Sequence, residues 1–539
     1  MLPLSPLFLP STVHSPLGGN CFDPNTLILR LPAITSLKAG MQRIGLDVPP
    51  AEAEITADIE AAFRHEFQHW LQFSGTSIGA FLSLCHFTQS QTAVNYLLAD
   101  KSALSFVEER VLKGTPVVPI RDLCLLDTTS VQERCGRLGP FPQIWYDHLL
   151  VYQLFFSAER QYGIGWPIGK VSGEVIADCL LYASDHYEIC DYAGNEIARA
   201  LYSFADEDRI TLHAFDRRPL TTRTLFEAQA AIAELTMVAD WMERGYLRGP
   251  DRVNAVLERI FTTDYGLPIE VFLGKLRADA ESMPELVRLL QTAAVCIDIA
   301  LNPRLPPIHV LNDKPWRWCD IYPPHRFITA VESVLTLGLL PNFDPGTIRQ
   351  YRESLASGAQ IPMCTSGPHP YRSSRLYQDF QSLAVKIQSG AIPPGSTPRV
   401  EYHEYLLWVQ SQLWDLRAKD VTPFINLSLW ALGAESRPEG PHLPNTTEDL
   451  WFRPPIKATY RSLAHTHHYS KFASIMVTSA CIHHLLFDLV IGSNACDMSA
   501  YPTEDRQSIF ERALTECQRQ YPCEVLGSWD YFGDGLPNP

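Results

Sequence analysis

Apolar residues recur every three or four positions in several parts of this chain, as expected for helices that bury one face. Within residues 54–74, Ile59, Phe63, Phe67 and Trp70 share such a face. The same pattern predicts further helices at residues 78–85, 93–98, 143–160, 225–243, 401–418, 470–491 and 504–520. The sequence therefore predicts a mainly helical protein.

A second pattern, short runs of strand-favouring residues, occurs near the N-terminus and between residues 166 and 216. Residues 26–31 are rich in apolar and β-branched side chains, and residues 210–215 alternate as a strand does. Ala193-Gly194-Asn195 is turn-like and separates two short apolar segments. We expect a small β-sheet here, and hence an α+β fold that is predominantly helical.

The length of 539 residues is large for one hydrophobic core, because cores stop growing near roughly 250–300 residues. The segment Asn302-Pro303-Arg304-Leu305-Pro306-Pro307 is a linker candidate, since prolines stop helices and fix extended backbone. We therefore predict two regions, residues 1–300 and a mainly helical C-terminal region at residues 301–539.

The formal charge of -16, with scattered Lys and Arg, argues against a nucleic-acid partner. The 13 cysteines include no Cys-x-x-Cys pair, and the apolar N-terminus lacks a positive segment and is broken by prolines. Residues 472–491 are long enough to suggest a membrane span, but His483, His484 and Asp488 would be costly in lipid. These features predict a cytoplasmic protein that does not enter the membrane.

The most informative motif is His65-Glu66-Phe67-Gln68-His69, within the first predicted helix. Residues four apart lie on one helix face, so both imidazoles can reach one metal ion. Glu66 lies beside them, where a carboxylate can accept the proton of a metal-bound water. The alternative is a surface histidine pair that binds no metal.

The segment from Phe63 to Gln72 resembles the active-site helix of the zincin metallopeptidases. The resemblance covers one helix, and it implies a zincin-like catalytic region with zinc as the cofactor. The chain lacks the Gly and third His that the metzincin pattern requires after His69. It also has no Glu between Glu66 and Glu108, where thermolysin-like and aminopeptidase-like relatives carry their third ligand.

A looser, gluzincin-like pattern is similar to residues 225–234, and it implies that Glu227 is the third metal ligand. The acidic residue that several gluzincins carry four positions after this ligand is absent, and Glu234, one turn further on, is the candidate substitute. The competing interpretation is a capping box, because Thr224-Leu225-Phe226-Glu227 would let the Glu bond back to a helix N-terminus. Glu159 and His86 are the other candidates for the third ligand.

Zincins commonly stabilise the oxyanion with a Tyr or His across the cleft, and the resemblance suggests His213, just before Glu227, for that role. A lone histidine on a mixed strand is more often a hydrogen-bonded structural residue, and that is the competing interpretation of His213.

Together these features predict a zinc-dependent metallopeptidase acting on a peptide or protein substrate, with Glu66 as general base and His65, His69 and Glu227 as metal ligands. The C-terminal region is expected to shape the cleft or to bind a regulatory protein partner. Two alternatives remain: a non-catalytic interaction or scaffold protein with a structural metal site or none, and hydrolysis of a non-peptide amide or ester. An open coordination position would separate catalytic from structural zinc.

Overall fold

The computed structural model describes fifteen segments of the chain. They are residues 21–23, 28–30, 50–99, 147–148, 151–152, 154–156, 167–187, 214–215, 218–247, 250–278, 282–308, 317–364, 369–388, 402–429 and 456–457. Several predicted features lie outside them, including the helices at 470–491 and 504–520 and the turn at 193–195.

Helices form most of the described chain. In order they are α1 (Pro50–Gly75), α2 (Ser77–Ala99), α3 (Pro167–Tyr187), α4 (Thr222–Glu243), α5 (Asp251–Thr262), α6 (Leu267–Leu276), α7 (Met283–Ala300), α8 (Trp318–Ile321), α9 (Pro323–Leu337), α10 (Pro345–Gly358), α11 (Arg375–Gln388), α12 (Tyr402–Lys419) and α13 (Thr422–Ile425). Two short 3₁₀ turns occur at Asp264–Gly266 and Pro370–Ser373.

The predicted α+β fold class is wrong, because the interpretable part of the chain is 81% helical. Extended pairings among the described residues are only two or three residues long: Cys21–Asp23, Ile28–Arg30, Ala214–Phe215, Arg218–Pro219 and Ile456–Lys457. Strands of that length cannot form a sheet that packs as a layer. The described architecture is all-helical.

The region assigned to the small sheet explains part of this error. Its first part forms α3, in which Ser172, Ile176, Cys179 and Ala183 are all buried. These buried positions are three or four residues apart, which is the spacing of one helix face. Of the predicted strand at 210–215, only Ala214–Phe215 is described, and it pairs with Arg218–Pro219.

Helices α1 and α4 form the centre of the described fold and pack against each other along much of their length. Every residue of α4 from Thr224 to Leu235 is buried. Helix α4 begins with a capping box in which Thr221 accepts from the backbone of Thr224 and the Thr224 side chain accepts from the backbone of Thr221. This cap fixes the register with which α4 meets α1.

One hydrophobic core includes residues from both sides of position 300, from Ala61 to Leu427. The predicted linker is buried within it, and Arg326 donates to the carbonyl of Asn302 while Ser77 donates to that of Pro303. Helices α12 and α13 pack against α1. The domain boundary near residue 300 stays a prediction. The described helices before and after it pack together in the same hydrophobic core.

Among the described helices, none combines the length and the apolar content needed to cross a bilayer.

Candidate metal centre

Three buried side chains from α1 and α4 converge on one point. His65 Nε2 lies 3.2 Å from His69 Nε2, and Glu227 Oε2 lies 3.3 Å from each of these nitrogens. Among the residues that the structure describes, they are the one group of three or more His, Cys, Asp or Glu side chains whose ligand atoms lie close enough together to bind one metal ion. The two histidines and the distant glutamate are therefore brought together.

Local structure explains how each side chain reaches this point. His65 and His69 are four residues apart in α1, so they lie on one face, with ring centroids 4.8 Å apart. Glu227 lies in the second turn of α4, past the N-terminal cap. The interpretation of Glu227 as a capping residue is wrong, because Thr221 and Thr224 form the cap and Glu227 points into the interface with α1.

Neighbouring side chains determine which histidine nitrogens face this point. His69 Nδ1 lies 2.8 Å from Gln72 Oε1, and His65 Nδ1 lies 3.4 Å from Glu234 Oε2. Gln72 Oε1 is an acceptor, so a neutral His69 carries its proton on Nδ1 and presents a lone pair at Nε2. A metal ion bound at this point would take the place of any proton held among the two Nε2 atoms and the carboxylate oxygen.

The spacing of these atoms fits zinc. With bonds of about 2.0–2.1 Å, neighbouring ligand atoms of a tetrahedral zinc lie about 3.3–3.4 Å apart. The observed separations of 3.2 and 3.3 Å match one face of such a tetrahedron. No fourth His, Cys, Asp or Glu joins the three in the described part of the chain. Three protein ligands and one position for water or substrate are typical of catalytic zinc.

The charges around the centre also favour a cation. Glu66, Glu227 and Glu234 are all buried within it, and Arg259 forms an ion pair with Glu234. Burial opposes a charge on His65, but hydrogen bonds with Glu227 and Glu234 and the charge of Glu66 outweigh it and raise the pKa of His65 to about 10. Burial likewise acts against the Glu227 anion, yet His69 and His65 hold its pKa far below the ordinary value. The pocket therefore stabilises positive charge.

Glu66 and Tyr265 lie next to the ligand group. Glu66 is 5% exposed, and its charge acts on both His65 and Tyr265. The Tyr265 ring lies 5.9 Å from the His65 ring, centre to centre. The negative charge of Glu227, then burial, then the charge of Glu66 raise the pKa of Tyr265 well above its usual value, so its hydroxyl remains a hydrogen-bond donor.

Three other candidates from the sequence belong to residues or side chains that the structure does not describe. His213, proposed for oxyanion stabilisation, and Glu159, an alternative ligand, lie outside the described residues. His86 belongs to α2, but its side chain lies outside the described set. Glu234, the candidate substitute for the missing supporting acidic residue, lies next to His65.

Three contributors were not identified from the sequence: Gln72, Tyr265 and Arg259. Gln72 follows His69 by three residues, so helical spacing alone could have indicated it. Tyr265 and Arg259 reach the centre through the packing of α5 and the turn Asp264–Gly266 against α4, which no local pattern reveals.

No protein-family model, curated protein or solved structure matches this chain.

Proposed function

We propose that this chain is a zinc-dependent metallopeptidase whose metal ligands are His65, His69 and Glu227. The observation that carries the proposal is the convergence of two imidazole nitrogens and one carboxylate oxygen, 3.2 and 3.3 Å apart, with a fourth position open among the described residues. A structural zinc site would instead present four protein ligands. Catalysis is therefore favoured over a scaffold role.

When bound, zinc would supply Lewis acidity that polarises a carbonyl and lowers the pKa of a coordinated water. The protein's own groups supply the remaining functions. Glu66 is buried beside His65, where its carboxylate can accept the proton of the attacking water and pass it to the leaving amine. Tyr265, whose ring lies 5.9 Å from the His65 ring, supplies a protonated hydroxyl near the centre.

The general-base role of Glu66 is tested with Glu66→Gln, which keeps the side-chain shape but removes the basic carboxylate. We expect the variant to retain zinc and to lose peptide hydrolysis by about 10²–10⁴-fold. The measurement is cleavage of a library of internally quenched fluorescent peptides by zinc-loaded protein. Glu332→Gln, at an exposed ion pair with Lys275, is the matched control and should cleave normally.

Full activity in Glu66→Gln would contradict the proposed mechanism. Wild-type protein that binds zinc but cleaves no peptide of the library would favour the non-catalytic alternative.

A further inference from the structure

Gln72 is a completely buried amide that contacts both helices of the candidate metal centre. Its Oε1 lies 2.8 Å from His69 Nδ1 on its own helix. Its Nε2 donates to the backbone carbonyl of Phe226, 2.9 Å away, and to Gln229 Oε1, 2.8 Å away, both on α4. Phe226 immediately precedes the candidate ligand Glu227, so one side chain links a histidine to the backbone beside the third ligand.

The partners of Gln72 allow one orientation of its amide. A backbone carbonyl can only accept, so the atom that faces Phe226 must be the amide nitrogen. The two Nε2 hydrogens are then both used, one by Phe226 and one by Gln229. This leaves Oε1 facing His69, and because that oxygen can only accept, His69 Nδ1 must carry the proton.

We propose that Gln72 is a positioning residue that fixes the tautomer and the ring orientation of His69, so that the Nε2 lone pair points at the metal. The inference rests on the proposed function. Metal-binding histidines generally donate their second ring N–H to an acceptor that orients them, and losing that acceptor costs about 10–100-fold in metal affinity. His69 has the neutral amide of Gln72 for this purpose.

Gln68 provides a matched control on the same helix. It is also completely buried, and it also bridges to backbone groups, donating to the Phe424 carbonyl at 3.1 Å and accepting from the Leu427 N–H at 2.9 Å. Neither of those hydrogen bonds involves a histidine. Replacing either glutamine by methionine therefore removes a similar buried bridge, but only the change at position 72 removes the acceptor for His69.

The test compares zinc affinity, by competition with a chelator, in the full-length wild type, Gln72→Met and Gln68→Met. We expect Gln72→Met to weaken zinc binding about 10–100-fold, and Gln68→Met to stay within about threefold of wild type. Denaturation midpoints of the variants show whether each is folded.

A measurement on the wild type alone covers the case in which Gln72→Met does not fold. In zinc-loaded protein with ¹⁵N-labelled histidine, we expect the His69 proton on Nδ1, coupled to a slowly exchanging N–H signal. A proton on Nε2 would overturn the inference, as would equal losses of affinity in Gln72→Met and Gln68→Met, or unchanged affinity in Gln72→Met. Wild-type protein that binds no zinc would instead overturn the proposed function and, with it, this role of Gln72.

Discussion

Tyr265 combines two properties that suit a group that stabilises developing negative charge. Its ring lies beside His65, and the surrounding carboxylates, Glu227 foremost, keep its hydroxyl protonated. A protonated donor that is partly shielded from water can stabilise an oxyanion. His213, which the resemblance suggested for this task, lies outside the described residues.

Tyr265→Phe removes the hydroxyl and keeps the ring, so it should leave zinc content unchanged while lowering kcat. A single oxyanion donor contributes about 10²–10³-fold, and we expect a loss of that size. The assay is steady-state cleavage of a peptide that the wild type hydrolyses, with Tyr246→Phe, at an exposed position, as the control. An unchanged kcat would exclude Tyr265 from this role.

At the residue scale, sequence reasoning succeeds where the contact is local. His65 and His69 are four residues apart in α1, and their spacing alone predicts a shared face. Glu227 needed the resemblance, because it is 158 positions from His69 and only the packing of α4 on α1 brings it close. Tyr265 could not be predicted, since its proximity to His65 depends on tertiary packing.

The C-terminal end of α1 is held by a buried ionic cluster that joins four helices. Arg417 donates to the Gly75 carbonyl at 2.8 Å and to Asp298 Oδ1 at 2.8 Å, while Arg352 bonds Asp298 Oδ2 at 2.5 Å. Burial alone would raise the pKa of Asp298, but the two guanidinium groups lower it. Asp298 is therefore an anion that compensates two buried cations.

Removing Asp298 should destabilise the protein severely, because Arg352 and Arg417 would lose their carboxylate partner inside the core. We expect Asp298→Ala to lower the free energy of unfolding by about 3–5 kcal/mol. Chemical denaturation followed by circular dichroism measures it. Asp379→Ala, which removes an exposed partner of Arg375, should change stability by less than about 1 kcal/mol. Equal effects of the two substitutions would show that the buried cluster contributes no more than a surface pair.

At the element scale, long helices with a clear apolar stripe were predicted within a few residues. Residues 54–74 correspond to α1, residues 225–243 to α4 and residues 401–418 to α12. The start of α4 was placed too late, because its cap is formed by two threonines rather than by a threonine and a glutamate. The predicted sheet was wrong, because residues 167–187, the first part of the region assigned to it, form α3.

For the whole molecule, the described helices share one core, and residues after position 400 support the helix that carries the metal motif. Gln68 bonds the backbone at Phe424 and Leu427, and the Phe424 ring lies so close to Gly75 that a Cβ there would overlap it. Composition could predict a large hydrophobic core, but it could not predict which segments would share that core. The contacts between α1 and residues 424–427 join positions hundreds of residues apart in the sequence. The geometry of the candidate centre therefore depends on both halves of the chain.

The central claim is that His65, His69 and Glu227 bind one metal ion, and zinc content per chain tests it most directly. Purified full-length protein, equilibrated with zinc and freed of excess, should hold about one zinc ion per chain. Glu227→Gln should lose it, whereas Glu66→Gln, which changes a buried glutamate of the same pocket that is not a ligand, should keep it. Wild-type protein without zinc, or Glu227→Gln with the full wild-type content, would contradict the account.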